Sequence, residues 1–418
     1  MNPRFRRITA TAATVLALAG PVTAAPAHAK PAKCPTLKVS EGWYGDNRAR
    51  LQELIDAHCA DRGADRPVAV FDWDNTVIKN DVGDATMYWL LRNSRIRPPV
   101  NDDWTTTSRY LTPDAAAALR DACPTGVRTL PTATDTRCAD EILSVYAEGA
   151  TTTGSEAFAG FDHRRMEPQY AWLAQLLRGW TTRQVESFAA AARAESLAAP
   201  IGATQQVGTG DVTAWVRYYE QQRDLVRTLR AAGFDIWIVS ASPEPVVDVW
   251  ARGVGIAPSH AIGIRNTIEH GRLGARLKGC GGVRDGEDSM ITYIDGKRCW
   301  INQEIFGVRG PAAERVQPAS RRQVFAAGDS DTDISFLRDA TGLRLVLNRN
   351  KNELMCRAYD NSDGRWIVNP MFIEPKKERT SPYPCATTAY TAADGTAEPV
   401  RRADGSVVPD QWDSVFGS

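Results

Sequence analysis

Residues 67–76 read PVAVFDWDNT, an apolar run followed at once by two aspartates in alternate positions. A short β-rich apolar run that leads straight into polar residues is typical of a parallel strand buried on both faces. Three more runs predict strands of the same kind: FDIWIV at 234–239, QVFAA at 323–327 and LRLVL at 343–347.

Helical patterns separate these runs. A helix is predicted at about 212–232, with Gly233 well placed to end it, and Ser242-Pro243-Glu244 is a typical helix start. Strands that alternate with helices predict an α/β fold, a doubly wound and mostly parallel sheet whose ligands bind beyond the carboxyl ends of the strands.

A long excursion separates the first two predicted strands. Residues 169–180 and 183–197 read as helices, the second started by a capping box of Thr181 and Gln184. We therefore expect a mainly helical cap inserted into the sheet domain. After residue 374 the chain is rich in Pro, Thr and Ala, which predicts a loosely ordered tail tied down partly by Cys385.

The composition is that of a globular protein. The 418 residues include 50 Lys and Arg against 50 Asp and Glu, and 43% are hydrophobic. Disordered, collagen-like and coiled-coil classes are therefore excluded. A formal net charge of zero gives no long-range field that would collect nucleic acid or an anionic membrane, so we expect no nucleic-acid partner.

The first 29 residues predict a secretory signal peptide. Three arginines precede an apolar stretch, and AHA at 27–29 provides the small residues at which signal peptidase cleaves. The stretch is shorter than the roughly 18 apolar residues that a membrane anchor needs. We expect a soluble protein secreted from a bacterial cell without stable membrane anchoring, by either the general or the twin-arginine route.

All eight cysteines lie beyond residue 29, and an even number in an exported chain is typical of disulfides. The spacing of the cysteines disfavours a structural zinc site. Eight cysteines permit about a hundred connectivities, so the pairing stays open. Proximity along the chain suggests four local pairs: Cys34–Cys59, Cys123–Cys138, Cys280–Cys299 and Cys356–Cys385.

Asp72 and Asp74 lie where the first strand is predicted to end. Two carboxylates at positions i and i+2 can face one pocket, one as nucleophile or metal ligand and the other as proton donor. Ser240, Ala241 and Ser242 follow the second strand, where a hydroxyl and free N–H groups suit a phosphate oxygen. Ser242 also fits an ordinary helix cap.

Lys297 precedes a helix predicted at 300–306 and is a candidate phosphate ligand. Lys278 is the alternative, disfavoured by the glycine-rich loop that follows it. GDSDTD at 328–333 follows the third strand, and its acids could hold a hard cation. The sixth and twelfth positions of a calcium loop would be Ile and Ala rather than Gly and Glu, which excludes an EF-hand.

The four motifs FDWDNT, VSAS, DGK and AAGDSDTD resemble those of the haloacid dehalogenase superfamily in order and strand context. The resemblance covers about residues 68–348. It is nearest to the phosphoserine-phosphatase-like branch and, within it, to secreted phosphorylcholine phosphatases. The division that it implies is a signal peptide at 1–29, an N-terminal segment and first part of the core at 30–84, a helical cap at 85–211, the remaining core at 212–375 and an irregular tail at 376–418.

The resemblance assigns roles to the matching residues. Asp72 would form an aspartyl-phosphate, and Asp74 would protonate the leaving alcohol and then activate water. Ser240 and Lys297 would bind phosphoryl oxygens, because an anionic nucleophile reaches an anionic phosphate only when positive charge offsets the repulsion. The other implied contacts are a Mg²⁺ site of Asp72, Asp74, Asp329 and Asp333, and substrate contacts from Asn75, Thr76, Ala241 and Trp89.

The expected function is that of a secreted Mg²⁺-dependent phosphomonoesterase for a small phosphorylated metabolite. Asp74 favours a phosphatase over a dehalogenase, because an alkoxide leaving group needs a proton and a halide does not. Tyr88, Trp89, Trp104 and Tyr110 could bind a quaternary ammonium group, which suggests phosphocholine or phosphoethanolamine. The alternatives are a phosphatase for phosphoserine or sugar phosphates and a non-catalytic binding protein of the same fold. The oligomeric state stays open.

Overall fold

The computed structural model describes residues 34–59 and 66–417, so the predicted signal peptide lies outside the described residues. The helices are α1 Asn47–His58, α2 Val82–Arg92, α3 Pro113–Ala122, α4 Thr136–Glu148, α5 Pro168–Leu176, α6 Thr182–Ala198, α7 Glu220–Ala231, α8 Glu244–Ala251, α9 Asp295–Glu304, α10 Ile334–Asp339 and α11 Asn352–Asp360. The strands are β1 Val68–Phe71, β2 Ile78–Lys79, β3 Thr204–Val207, β4 Gly210–Thr213, β5 Arg217–Tyr218, β6 Asp235–Pro243, β7 Ala261–Ile264, β8 Asn266–Glu269, β9 Arg272–Leu277, β10 Phe325–Gly328, β11 Arg344–Asn348, β12 Trp366–Pro370, β13 Tyr390–Thr391 and β14 Ala397–Glu398.

A six-stranded parallel sheet forms the centre of the fold, in the order β12-β11-β10-β1-β6-β7. This confirms the predicted doubly wound α/β sheet. The chain adds β6 and β7 on one side of β1 and then returns to add β10, β11 and β12 on the other side. Such a reversal opens a crevice at the carboxyl ends of the central strands, where ligands of these sheets bind.

The central strand β1 is buried on both faces, which explains its unbroken apolar sequence. Ala69 and Phe71 pack into one hydrophobic cluster, and Val70 packs into the other. Val68 is the exception, since it is only partly buried.

The segment between β1 and β6 contains helices α2 to α7, the hairpin of β3 and β4, and the short strands β2 and β5. The capping box at the start of α6 is confirmed, since the Thr181 hydroxyl accepts from the Gln184 N–H and the Gln184 side chain accepts from the Thr181 N–H. The predicted helix at 169–180 is shorter, because α5 ends at Leu176 and Gly179 adopts a left-handed φ of +80°.

The helix predicted at 212–232 begins only at Glu220, so its first third was wrong. Strands β3 and β4 pair as an antiparallel hairpin through residue 213, and β5 pairs with β2. Exposed and inward-facing side chains alternate along β4, a period of two that favours a strand over a helix.

The C-terminal segment after residue 376 is packed against the sheet domain, which differs from the loosely ordered tail that composition predicted. It contains only the short strands β13 and β14, yet Tyr383, Cys385, Val400 and Val408 are buried in one hydrophobic cluster with α11. Apolar side chains spaced widely among polar ones are therefore sufficient to fix an irregular segment onto a preformed surface.

All four predicted cysteine pairs are present as disulfides. Cys280–Cys299 ties the loop after β9 to α9, and Cys356–Cys385 ties α11 to the C-terminal segment. Among residues 34–59 and 66–417, no helix has the length and apolar character needed to cross a bilayer.

Candidate active site

The predicted chemical groups meet at the carboxyl edge of the sheet. Asp72 directly follows β1, and its N–H donates to the Ala327 carbonyl of the neighbouring β10. Strand β6 continues through Pro243, so Ser240 and Ser242 lie within this strand rather than after it. Ser242 is not a helix cap, because the residue that precedes α8 is Pro243 and the Ser242 hydroxyl donates elsewhere.

Lys297 connects two of the aspartates. Its Nζ lies 2.6 Å from Asp72 Oδ1 and 2.7 Å from Asp333 Oδ1, and its side chain is completely buried. Helix α9 begins at Asp295, five residues before the predicted start, so Lys297 lies in its first turn. Lys278 instead pairs with the exposed Asp285. Of the two lysines that the sequence offered, Lys297 is therefore the one in the site.

Burial and charge act in opposite directions on this cluster. Burial alone would lower the pKa of Lys297, but Asp333 and Asp72 raise it above its usual range, so the ammonium group stays charged. Burial raises the pKa of Asp72, and the nearby Asp333 raises it further, against the opposing effect of Lys297. Two carboxylates thus share one ammonium group, and additional positive charge would stabilise both.

The GDSDTD motif forms a tight turn after β10. Asp333 Oδ2 accepts from the N–H groups of Asp329 at 2.9 Å and Ser330 at 3.1 Å. Asp329 Oδ1 accepts from the Thr76 hydroxyl at 2.8 Å, and its Oδ2 accepts from Arg349 Nη1 at 2.6 Å. The turn therefore fixes the direction of both carboxylates.

Three carboxylates are close enough to share a cation. Oxygens of Asp72, Asp329 and Asp333 all lie within 4.8 Å of one another, and all three residues are buried. Carboxylate oxygens are the donors that Mg²⁺ prefers. These residues fit a magnesium ion, although the Asp74 side chain is not part of this group.

The Asp74 carboxylate points toward the serines of β6. Its Oδ1 accepts from the Val82 N–H at 2.8 Å, and its Oδ2 accepts from the hydroxyls of Ser240 at 3.2 Å and Ser242 at 3.0 Å. Burial raises the pKa of Asp74, and the negative charge of Asp81 raises it further. A raised pKa favours the protonated form, which suits a group that must donate a proton.

Two cavities that share lining residues lie at the site, and only the smaller one is lined by the aspartates of the first motif. The smaller, of about 50 Å³, is lined by Asp72, Asp74 and Ser242 among others. The larger, of about 480 Å³, is lined by both acidic and aromatic residues. Four residues line both cavities: Asp81, Tyr146, Tyr170 and Arg349.

Residues 128–338 match the family model of haloacid dehalogenase-like hydrolases, which is half of the chain. The chain belongs to this family. The matched span contains Ser240, Lys297, Asp329 and Asp333, whereas Asp72 precedes it and enters the site through the sheet. The protein is therefore a haloacid dehalogenase-like hydrolase.

Several known proteins are similar to this hydrolase. Phosphorylcholine phosphatase of Pseudomonas aeruginosa is 22% identical over 323 residues, 74% of this chain and 81% of that protein. A probable phosphatase of Mycobacterium tuberculosis is 26% identical over 190 residues, 46% of this chain and 52% of that protein. The crystal structure of a functionally unknown protein from Anaerococcus prevotii has a TM-score of 0.57 at 21% identity, over 79% of this chain and 92% of that chain, which shows a shared fold.

Only some of the residues that were predicted to contact substrate line the two cavities. Asn75 lines the larger cavity and Ala241 the smaller one, whereas Thr76 is buried and acts through its hydrogen bond to Asp329. In the described part of the chain Trp89 lines neither cavity, because it stacks on Phe188 and donates to Glu195. Its predicted contact with substrate gains no support from the lining of these two cavities and stays a prediction.

Sequence reasoning missed the groups that close the site from other elements. Arg349 follows β11, and only the strand order shows that this strand ends beside β10. Tyr146 lies in α4 and donates to Asp84 of α2 at 2.8 Å, a pair 62 residues apart. The one available signal was the position of Arg349 directly after a predicted strand.

Proposed function

We propose that this hydrolase is a Mg²⁺-dependent phosphomonoesterase that forms an aspartyl-phosphate on Asp72. The observation that carries the proposal is the juxtaposition of Asp72, Asp74 and Lys297, with Asp72 and Asp74 on the wall of one cavity. The ion, held by the carboxylates of Asp72, Asp329 and Asp333 and by the Asp74 carbonyl, would supply positive charge against the phosphate.

The first half-reaction transfers the phosphoryl group to the protein. A carboxylate oxygen of Asp72 attacks phosphorus while the bond from phosphorus to the leaving oxygen breaks. Asp74 gives its proton to that oxygen, so the alcohol leaves neutral. Lys297 and the Ser240 hydroxyl bind the phosphoryl oxygens, and Asp333 holds Lys297 in position.

The second half-reaction releases phosphate. Asp74, now ionised, takes a proton from water, and the water oxygen attacks phosphorus as the bond to Asp72 breaks. Both aspartates return to their initial protonation states. The Ser242 hydroxyl keeps the Asp74 carboxylate directed at the reacting group in both steps, which frees the Ser240 hydroxyl to donate to a phosphoryl oxygen.

We propose phosphocholine or phosphoethanolamine as the substrate. The cavity beside the catalytic groups is lined by the carboxylates of Asp81, Asp84 and Glu167, which suit a cationic leaving group. Tyr88 and Trp215 also line it, and aromatic faces bind ammonium groups. The named activity of the Pseudomonas relative supports the same choice.

Phosphoserine is the second candidate, because basic residues line the same cavity. Lys79 and Lys376 could bind the serine carboxylate, although Lys79 already pairs with Glu374 at 3.4 Å. The acidic residues favour the amines, and the lysines favour the amino acid. Loss of the Asp84 charge should therefore weaken hydrolysis of an amine ester, and loss of the Lys376 charge should weaken hydrolysis of phosphoserine.

Steady-state kinetics with phosphocholine, phosphoethanolamine, phosphoserine and glucose phosphate in Mg²⁺ tests this choice. We expect the highest kcat/KM for an amine ester and a drop of about tenfold for it in Asp84→Asn. Trp89→Phe, outside the cavity, is the matched control and should change kcat/KM by less than about twofold. Equal rates for all four esters would contradict an ammonium site.

We further propose that residues 85–211 act as a cap over the site and that the protein is secreted. Tyr88 of α2, Tyr146 of α4 and Tyr170 of α5 all reach the larger cavity, which supports the cap. Four disulfides support an oxidising compartment. Expression of the full chain should yield extracellular protein that begins at Lys30. An uncleaved chain that stays inside the cell would contradict this expectation.

A further inference from the structure

A third cavity, of about 270 Å³, lies among α10, α11, β12 and the C-terminal segment. It shares no lining residue with the two cavities of the candidate active site. Five arginines line it: Arg338, Arg344, Arg357, Arg401 and Arg402. A concentration of guanidinium groups around one cavity is costly unless negative charge offsets it.

Nearby carboxylates neutralise only part of this charge. Arg344 pairs with Asp363 at 2.7 Å, and Arg402 donates to Asp360 at 2.9 Å. Both aspartates also line the cavity, so they reduce its positive charge but do not cancel it.

A third ion pair lies behind the cavity wall. Arg357 pairs with Glu353 at 2.6 Å. Arg338 and Arg401 form no ion pair within residues 34–59 and 66–417. The cavity therefore keeps an excess of positive charge from two arginines.

Backbone carbonyls hold the guanidinium groups of Arg344 and Arg357 in place. Arg344 donates to the carbonyls of Arg338 at 3.2 Å and Ala340 at 3.0 Å, while its buried Nε has no acceptor in the described chain. Arg357 donates to the Arg401 carbonyl at 3.1 Å. Donors fixed in this way lose little freedom when an anion binds, which is the condition for a site rather than a mobile charged surface.

Arg338 is an exposed residue on the wall of this cavity. Partial loss of hydration lowers the pKa of its guanidinium, and the positive charges of Arg357 and Arg298 lower it further. A bound anion would relieve this repulsion. The planar guanidinium group can donate two parallel N–H bonds to the oxygens of a phosphate-type anion.

We propose that this cavity binds a phosphate-type oxyanion with at least two negative charges, at a place separate from the catalytic groups. The ligand is a small inorganic oxyanion rather than a nucleotide, because the aromatic face of Trp366 is covered by the Arg344 guanidinium at 5.0 Å. A nucleobase would need such a face for stacking.

Isothermal titration calorimetry of the full chain with pyrophosphate tests the proposal. The buffer contains a chelator and no Mg²⁺. Arg338→Gln and Arg401→Gln should each raise Kd by about tenfold or more, since each removes a charge-assisted contact. Arg284→Gln is the matched control, because that side chain is 88% exposed and lies outside the cavity. Its Kd should change by less than about twofold, and kcat with a generic aryl phosphate should be unchanged in all three variants.

Binding of pyrophosphate in the catalytic site would survive both cavity substitutions, so equal Kd values in wild type, Arg338→Gln and Arg401→Gln overturn the proposal. Circular dichroism checks that both variants fold. If Arg338→Gln does not fold, the Kd of Arg401→Gln still tests the proposal, because Arg401 lies outside the helices. Crystals soaked in selenate should show an anomalous peak among the arginines, and a peak confined to Lys297 would equally refute the site.

Discussion

Lys297→Met removes the ammonium group that holds Asp72 and Asp333 while it keeps most of the side-chain volume. Both carboxylates are buried and lie within 2.7 Å of Nζ, so the variant leaves two like charges without their shared partner. Loss of one partner from a buried ion pair costs about 3 to 5 kcal/mol. We expect a value near the lower limit, because the two carboxylates can take up a proton.

The stability deficit should grow with pH. Without Lys297, burial and mutual repulsion hold the pKa values of Asp72 and Asp333 above those of the unfolded chain. Such groups favour folding at low pH and oppose it once the pH rises through their folded values. The deficit in the metal-free protein should therefore be larger at pH 8 than at pH 5.

Catalysis should fall more sharply than stability. Removal of one preorganised group that stabilises charge in the transition state costs about a hundred- to a thousandfold in kcat. Lys278→Met is the matched control, since Lys278 pairs with Asp285 on the surface, and we expect less than about a twofold change.

Urea unfolding at the two pH values and hydrolysis of an aryl phosphate in Mg²⁺ measure these effects. A kcat for Lys297→Met within about twofold of wild type would refute the assigned role of Lys297. Equal losses in Lys297→Met and Lys278→Met would do the same.

Two other predictions concern pH and the disulfides. Burial, and then Asp81, raises the pKa of Asp84 to about 7, so kcat/KM for phosphocholine should rise through this pH as the carboxylate ionises. That inflection should be absent for Asp84→Asn and for an aryl phosphate, and a wild-type profile without it would contradict the assignment. Loss of the Cys280–Cys299 disulfide should cost about 3 kcal/mol in thermal unfolding and lower kcat, because it tethers the helix with the site lysine. Loss of the Cys123–Cys138 disulfide should cost a similar free energy of unfolding and leave kcat unchanged. Equal kcat values in the two disulfide variants would contradict the tethering argument.

The part of the site that could be predicted from sequence is the part that lies on the ends of central strands. Asp72, Ser240 and Asp329 each follow or end an apolar run, and parallel strands place such positions along one edge. The phosphate-binding lysine could be narrowed only to Lys297 or Lys278, because neither lies in a stretch with a clear periodic pattern. Its selection depends on the burial that the fold imposes.

The unpredicted parts depend on contacts between distant segments. Tyr146 of α4 and Asp84 of α2 are joined by a hydrogen bond between distant segments, and no local pattern encodes that pair. Strands β7 and β12, which were missed, are the two edge strands of the sheet. The aromatic character of Trp89 suggested a cation site, but Phe188 of α6 stacks on its ring, a contact between helices that no local pattern encodes.

Mass spectrometry of acid-quenched reactions tests the central claim most directly. During turnover of phosphocholine or an aryl phosphate, we predict an adduct of about 80 Da on the peptide that contains Asp72, absent in Asp72→Asn. Rapid turnover without that adduct at any quench time, or an adduct on another residue, would contradict phosphoryl transfer to Asp72.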